Sequence, residues 1–180
     1  MSTRCTLTIR DADNAFSIYR HSDGYPDTEH GVLEGLRAAF PLAWPLPRFE
    51  ADEFAAAIVA AWKTGPGNIR FCEGRDAIED TAFHYDVSMV KAGHALYVKV
   101  WERNHNDEWI PSAAYLVLPE KVKKVALSKA DRAARDASMA PHRALAEIAG
   151  ELASLAESSR GSPAYCAAVA KARAVLDRME

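Results

Sequence analysis

Arg4-Cys5-Thr6-Leu7-Thr8-Ile9-Arg10 alternates throughout: Cys5, Leu7 and Ile9 point one way, and Arg4, Thr6, Thr8 and Arg10 the other. A period of two over this length is a strand with one buried face. Asp11-Ala12-Asp13-Asn14 is turn chemistry, because short carboxylates and amides bond their own backbone. From Phe16 to His21 the alternation returns, with Phe16 and Ile18 on one side and Ser17, Tyr19 and His21 on the other. The two segments predict a β-hairpin, with Tyr19 and His21 sharing the face opposite the aliphatic one.

The hairpin runs into Tyr19-Arg20-His21-Ser22-Asp23-Gly24-Tyr25-Pro26-Asp27, the densest group of aromatic, cationic and carboxylate side chains in the chain. Ser22–Pro26 reads as a turn in which Gly24 takes a positive φ. Asp27 or Thr28 is a good N-cap, and Val32, Leu33, Leu36, Ala39 and Phe40 then recur at helical spacing, so a helix is expected over 28–40. Pro41-Leu42-Ala43-Trp44-Pro45-Leu46-Pro47 is a stiff connector. A second helix follows over 51–63, striped by Phe54, Ile58, Ala61 and Trp62 and ended by Gly65-Pro66-Gly67. Segments 69–73, 83–90, 95–102 and 109–118 read as strands of an antiparallel meander, with turns at Lys91–His94 and Asn104–Asp107.

After Pro119 the pattern becomes helical. Ser128-Lys129-Ala130-Asp131 is a capping box variant, and Pro141 is expected to interrupt the helix or open the next one. Leu145, Ile148, Leu152 and Leu155 form one narrow seam. A turn at Ser158–Pro163, with Ser162 as N-cap, leads to a second seam of Tyr165, Val169, Ala172, Leu176 and Met179. The fold class expected is α+β: an antiparallel sheet of five or six strands packed by two helices over 1–120, with a C-terminal helical hairpin over 121–180. The seams favour a helix partner, so the hairpin is expected to dock on the sheet or on its copy in a second subunit, and a homodimer or higher oligomer is expected.

The 180 residues carry a net charge of −3, which argues against general nucleic-acid binding. The charge is uneven: 11 Lys/Arg stand against 17 Asp/Glu in 1–118, and 11 against 8 in 119–180. No apolar run reaches membrane-spanning length and no signal peptide is evident, so a soluble cytoplasmic protein is expected. Cys5, Cys72 and Cys166 are odd in number and far apart, which suits buried reduced thiols better than a disulfide or a metal cluster.

Ser2-Thr3-Arg4-Cys5 followed by Tyr19-Arg20-His21-Ser22-Asp23-Gly24-Tyr25-Pro26 resembles a family of small phage and prophage proteins that read S-T-R-C and then Y-R-H-x-D-G-Y-P at these positions. The resemblance covers about the first thirty residues and the general β-rich plan to about residue 118; the alanine-rich tail lies outside it. It transfers no activity. It implies a mobile-element accessory protein in the cytoplasm of a bacterial host, acting against host defences.

The turn before a helix N-terminus would offer free backbone N–H groups to an anion. Arg20 and His21 would add donors, and Tyr19 and Tyr25 flat walls. The leading expectation is therefore non-catalytic: binding of a small anionic ligand, such as a nucleotide, by Tyr19, Arg20, His21, Asp23, Gly24 and Tyr25, with no cofactor. A metal-dependent phosphoester hydrolase using His21 and Asp23, with Asp27, His30, His84 and Asp86 near, is the second reading. It lacks any recognised ligand spacing, and no metal site is predicted. An inhibitor that occludes a host protein is the third. Cys5 and His21 fall on opposite faces, and no nucleophile elbow or P-loop is present, which weakens catalysis. His84 and Asp86 read as solvated, and the four tryptophans as core or connector residues. Tyr97, Lys99 and Trp101 share a strand face that would suit a ligand wall or an oligomer contact.

Overall fold

The hydrophobic side of the first strand sets the whole arrangement. The computed structural model describes residues 3–90, 93–104, 106–156 and 163–176. Its strands are β1 (Cys5–Arg10), β2 (Ala15–Arg20), β3 (Ile69–Cys72), β4 (Phe83–Met89), β5 (Leu96–Arg103), β6 (Trp109–Val117) and β7 (Val122–Val125), in the sheet order β3-β2-β1-β4-β5-β6-β7. Cys5, Leu7, Ile9, Ile18, Tyr85, Val87, Val98, Val100 and Val117 are wholly or almost wholly buried on one face. Each such aliphatic side chain contributes about 1.5–3 kcal/mol by leaving water.

That face is covered by α1 (Val32–Ala39), a 3-10 turn (Phe40–Leu42) and α2 (Ala51–Trp62). Val32, Leu33, Leu36 and Ala39 supply the buried stripe of α1, and Phe54, Ala55, Ile58 and Trp62 that of α2. The helices cross closely at Gly35, where any Cβ would overlap the Trp62 indole. Asp11 ties the β1–β2 turn to α2: its Oδ2 accepts from Ala51 N at 2.8 Å, while Oδ1 accepts from Asp13 N at 2.8 Å and Asn14 N at 2.7 Å.

Three expectations need correction. The sheet is mixed and has seven strands, because β1 pairs with β4 in parallel while every other neighbouring pair is antiparallel. Local turns announce antiparallel neighbours, but β1 and β4 are joined through β2, both helices and β3, so no turn signals their direction. Second, α1 starts at Val32 rather than Thr28, with Gly31 as an N-cap that offers no side-chain bond. Third, the third helix, α3 (Lys129–Ala156), continues as helix through Pro141.

Contacts divide the chain into Met1–Lys129 and Ala130–Glu180, so β7 belongs with the sheet. The second unit holds α3 and α4 (Pro163–Leu176), in which Ile148 and Ala168 are buried and Val169 is exposed. The turn expected at Ser158–Pro163 falls largely outside the described residues, as do Ser2, Lys91, Ala92, His105, Met179 and the side chains of His142, Leu152, Leu155, Tyr165, Ala172 and Leu176. No described helix is long and apolar enough to cross a membrane.

Candidate functional site

The residues expected to form one site are divided by the strand pleat. Tyr19 lies on the sheet face away from the helices, 4% exposed, with its ring under the Arg70 guanidinium at 4.8 Å and its hydroxyl 3.0 Å from His21 Nδ1. Arg20 lies on the helix side: its guanidinium carbon is 4.5 Å from the Trp62 ring centroid, and Nη2 donates to His30 O at 2.9 Å. Asp23 stands at the rim, 3.7 Å from Arg20 Nη2. Tyr25 is 48% exposed and leans on Phe83, ring to ring at 5.8 Å.

The positive φ of the turn falls on Asp23, at 55°, rather than on Gly24. Asp tolerates this left-handed conformation better than most residues. Gly24 is required for a different reason. Its N–H donates to Thr3 O at 2.9 Å, and its carbonyl accepts the buried Tyr85 hydroxyl at 2.7 Å. A Cβ there would meet Thr3 O at 2.9 Å and Cys5 Cβ at 3.0 Å. The turn is thus pressed against β1.

The helix N-terminus behind the turn is already occupied. Val32 N donates to Tyr25 O at 2.9 Å, Leu33 N to Pro26 O at 3.2 Å and Gly35 N to Gly31 O at 3.0 Å. The turn's own carbonyls take the amides on which an anion was expected to rest. Asp27 and Thr28 face instead a cavity of about 350 Å³ that Glu29 and Glu34 also line, which makes that side acidic.

Unsatisfied donors remain on the other side of the turn. Arg20 Nη1 and Trp62 Nε1 are buried without a hydrogen-bond partner among the described residues, and they belong to one stacked pair. Asn68 Oδ1, an acceptor, is also buried without a partner among the described residues; the same amide donates through Nδ2 to Trp62 O at 3.0 Å, and Asn68 O accepts from His21 N at 2.9 Å. Buried polar atoms are rarely left unpaired in folded proteins, and a bound ion or water is a common reason when they are.

Metal and thiol chemistry find less support. Among the described residues no group of three or more His, Cys, Asp or Glu side chains is placed to hold a metal ion. Burial pushes the Cys5 thiol up to about 12, so it carries no thiolate at neutral pH. Cys72 is half-buried and Cys166 exposed, so of the three only Cys5 matches the expectation of buried thiols.

The structure also assembles a cluster that periodicity had treated as solvated. His84 is 2% exposed and Thr6 fully buried, with Thr6 Oγ1 2.9 Å from His84 Nδ1. Asp86 accepts from Trp101 Nε1 at 2.8 Å and pairs with Arg10. Burial alone raises the Asp86 carboxyl, but the neighbouring His84 imidazole, the bond from Trp101 and the charge of Arg10 outweigh it and hold it at about 2. A bulge in β6 makes the cover: the register passes from Val100↔Ala113 to Trp101↔Pro111, which turns Trp109 onto this face, its ring 6.0 Å from that of His84. Arg75 then lies over Trp101 at 5.2 Å and Trp109 at 5.7 Å. Nothing local in the sequence marks this strap. The order hydroxyl, imidazole, carboxylate resembles a catalytic triad, but Thr6 has no access to substrate and His84 Nε2 stands 3.6 Å from Asp86 Oδ1.

A wider concavity of about 620 Å³ lies at the β1–β2 turn, lined by Arg10, Asp13, Phe49, Glu50, Asp52 and Met89 among others. Compared with known proteins, the chain matches no family model, no curated protein and no solved structure.

Proposed function

We propose that this is a non-catalytic binding protein that holds a small anionic ligand, of the nucleotide or phosphate class, at the Tyr19–Asp27 turn, with Arg20 as its anchor. The observation that carries the reading is the half-buried guanidinium of Arg20, whose buried Nη1 has no hydrogen-bond partner among the described residues while the group stacks on an indole whose buried N–H has none there either. Two unsatisfied donors beside one cationic group are complementary to an oxyanion, which accepts several bonds at once. Tyr25, exposed at the rim, would meet the rest of such a ligand, while His21 stands with Tyr19 on the opposite face of the sheet. The phage-type context, with a role against host defences, comes from the N-terminal motif alone and is part of the same proposal.

Thermal unfolding with inorganic phosphate, sulfate and a nucleoside monophosphate tests it. The expected result is a concentration-dependent rise in Tm that Arg20→Lys abolishes, because a point charge does not reproduce the planar fork. Asp23→Asn keeps or strengthens the response, since it removes a negative charge 3.7 Å from the anchor. A wild-type Tm indifferent to every anion overturns the reading and leaves the orphan donors to water.

A further inference from the structure

The two edges of the sheet are built differently. β7 presents Val122-Lys123-Lys124-Val125, with both lysines exposed. Lysine on an edge strand is a common guard against pairing with another chain. β3, at the opposite edge, presents Ile69-Arg70-Phe71-Cys72, and Phe71 is 58% exposed. Its one cation, Arg70, is drawn inward over the Tyr19 ring.

The ladder between β2 and β3 decides which backbone groups of β3 face outward. His21 N donates to Asn68 O at 2.9 Å, and the register sets Arg20 opposite Ile69, Tyr19 opposite Arg70 and Ser17 opposite Cys72. In an antiparallel pair, bonded and non-bonded positions alternate. Asn68, Arg70 and Cys72 therefore turn their N–H and C=O groups toward β2, and Ile69 and Phe71 turn theirs out. Lys63 Nζ covers the Ile69 carbonyl at 3.0 Å. The outward backbone groups of Phe71 have no strand to pair with among the described residues.

We propose that this edge pairs with the same edge of a second copy, antiparallel, with Phe71 on the two-fold axis. Only registers that oppose outward-facing residues are open, and the one centred on Phe71 sets the two Phe71 rings side by side and Ile69 opposite Glu73 of the other copy. Charge complementarity favours this occupant: on pairing, the Ile69 carbonyl passes from exposed Lys63 to the Glu73 N–H of the other copy, the released Lys63 meets that exposed Glu73 carboxylate, and symmetry repeats the pair. The register keeps the helices of both copies on one side of a continuous sheet, and the isologous contact closes without leaving a β3 edge.

Sedimentation equilibrium of the full chain over a range of concentrations tests this. The wild type is expected to form a dimer that Phe71→Lys weakens by about 100-fold or more, as loss of a central anchor does. Lys63→Glu and Glu73→Lys should each weaken it by about tenfold, and the double variant should restore most of the loss. Phe71→Cys, in a background of Cys72→Ser and Cys166→Ser, should form an intermolecular disulfide across the axis, because bonded antiparallel pairs stand at about 5.5 Å between Cα atoms. A monomer at every concentration, or a dimer unaffected by Phe71→Lys, overturns the proposal. A double charge variant as weak as the single ones, together with no crosslink from Phe71→Cys, overturns the register and with it the assignment to this edge.

Discussion

Replacing Gly24 by alanine tests whether the turn is held by close approach to β1. The new Cβ would sit 2.9 Å from Thr3 O, 3.0 Å from the Arg4 carbonyl carbon and 3.0 Å from Cys5 Cβ. Cys5 belongs to a strand paired on both sides, by β2 and β4, and Thr3 and Arg4 lead directly into it, so the turn must move rather than the strand. Moving it stretches the bond from Gly24 N to Thr3 O and the bond from the Tyr85 hydroxyl to Gly24 O. Overpacking of this kind costs about 1–3 kcal/mol. Leaving the buried Tyr85 hydroxyl unsatisfied costs about 1–3 kcal/mol more. The expected loss is thus about 2–6 kcal/mol, read as a lower urea midpoint at unchanged m, with a fall in Tm of about 3 °C per kcal/mol. The Gly24→Ala and Tyr85→Phe pair should fall short of additivity by about 1 kcal/mol, because both act on one hydrogen bond. A Gly24→Ala protein within about 0.5 kcal/mol of wild type would refute the reasoning, since ordinary surface substitutions fall in that range.

Asp86 makes stability depend on acid. Its carboxyl lies at about 2 in the folded protein against an ordinary 3.8, so the unfolded chain takes up this proton first. The stabilisation is present above pH ~4 and lost as pH falls toward ~2; it amounts to about 1–2 kcal/mol after allowance for solvent screening. Asp86→Asn should remove that part of the acid dependence in urea titrations at stepped pH, and an unchanged profile would contradict it. Among the thiols, exposed Cys166 should react with an aromatic disulfide reagent in the native state, while Cys5 should react only on unfolding. Rapid native labelling of Cys5 would show that β1 is not buried as described.

Much of the layout was legible because it is local. The alternation of Cys5, Leu7 and Ile9 marked the buried face, and the spacing of Val32, Leu33 and Leu36 marked a helix. What was not legible is what distant chain segments do to one another. The parallel β1–β4 pairing joins residues about eighty apart, with no turn between them to announce it. Val122-Lys123-Lys124-Val125 is too short and too basic to read as a strand, yet it has β6 to pair with. The positive φ expected at Gly24 is carried by Asp23, and what requires glycine there is the close approach to Thr3 and Cys5, which no local pattern announces. His84 was read as solvated because alternation reports which face a residue occupies and not what lies over it; the β6 bulge and the Arg75 strap supply the cover. In the turn, grouping by sequence overstated grouping in space: Tyr19 and Arg20 are neighbours in the chain and point to opposite faces of the sheet.

The central proposal is that Arg20 Nη1 and Trp62 Nε1, which have no partner among the described residues, bind an anion, and the Trp62 indole N–H reports on it directly. It is a single resonance in a proton–nitrogen correlation spectrum, assigned by its loss in Trp62→Phe. Titration with phosphate and with a nucleoside monophosphate should shift that resonance saturably and downfield, together with the Arg20 Nε–H, while the Trp44 and Trp101 indoles stay in place. An indole that does not move at up to about 10 mM of either anion, a concentration above the Kd of even a weak site, would contradict the account.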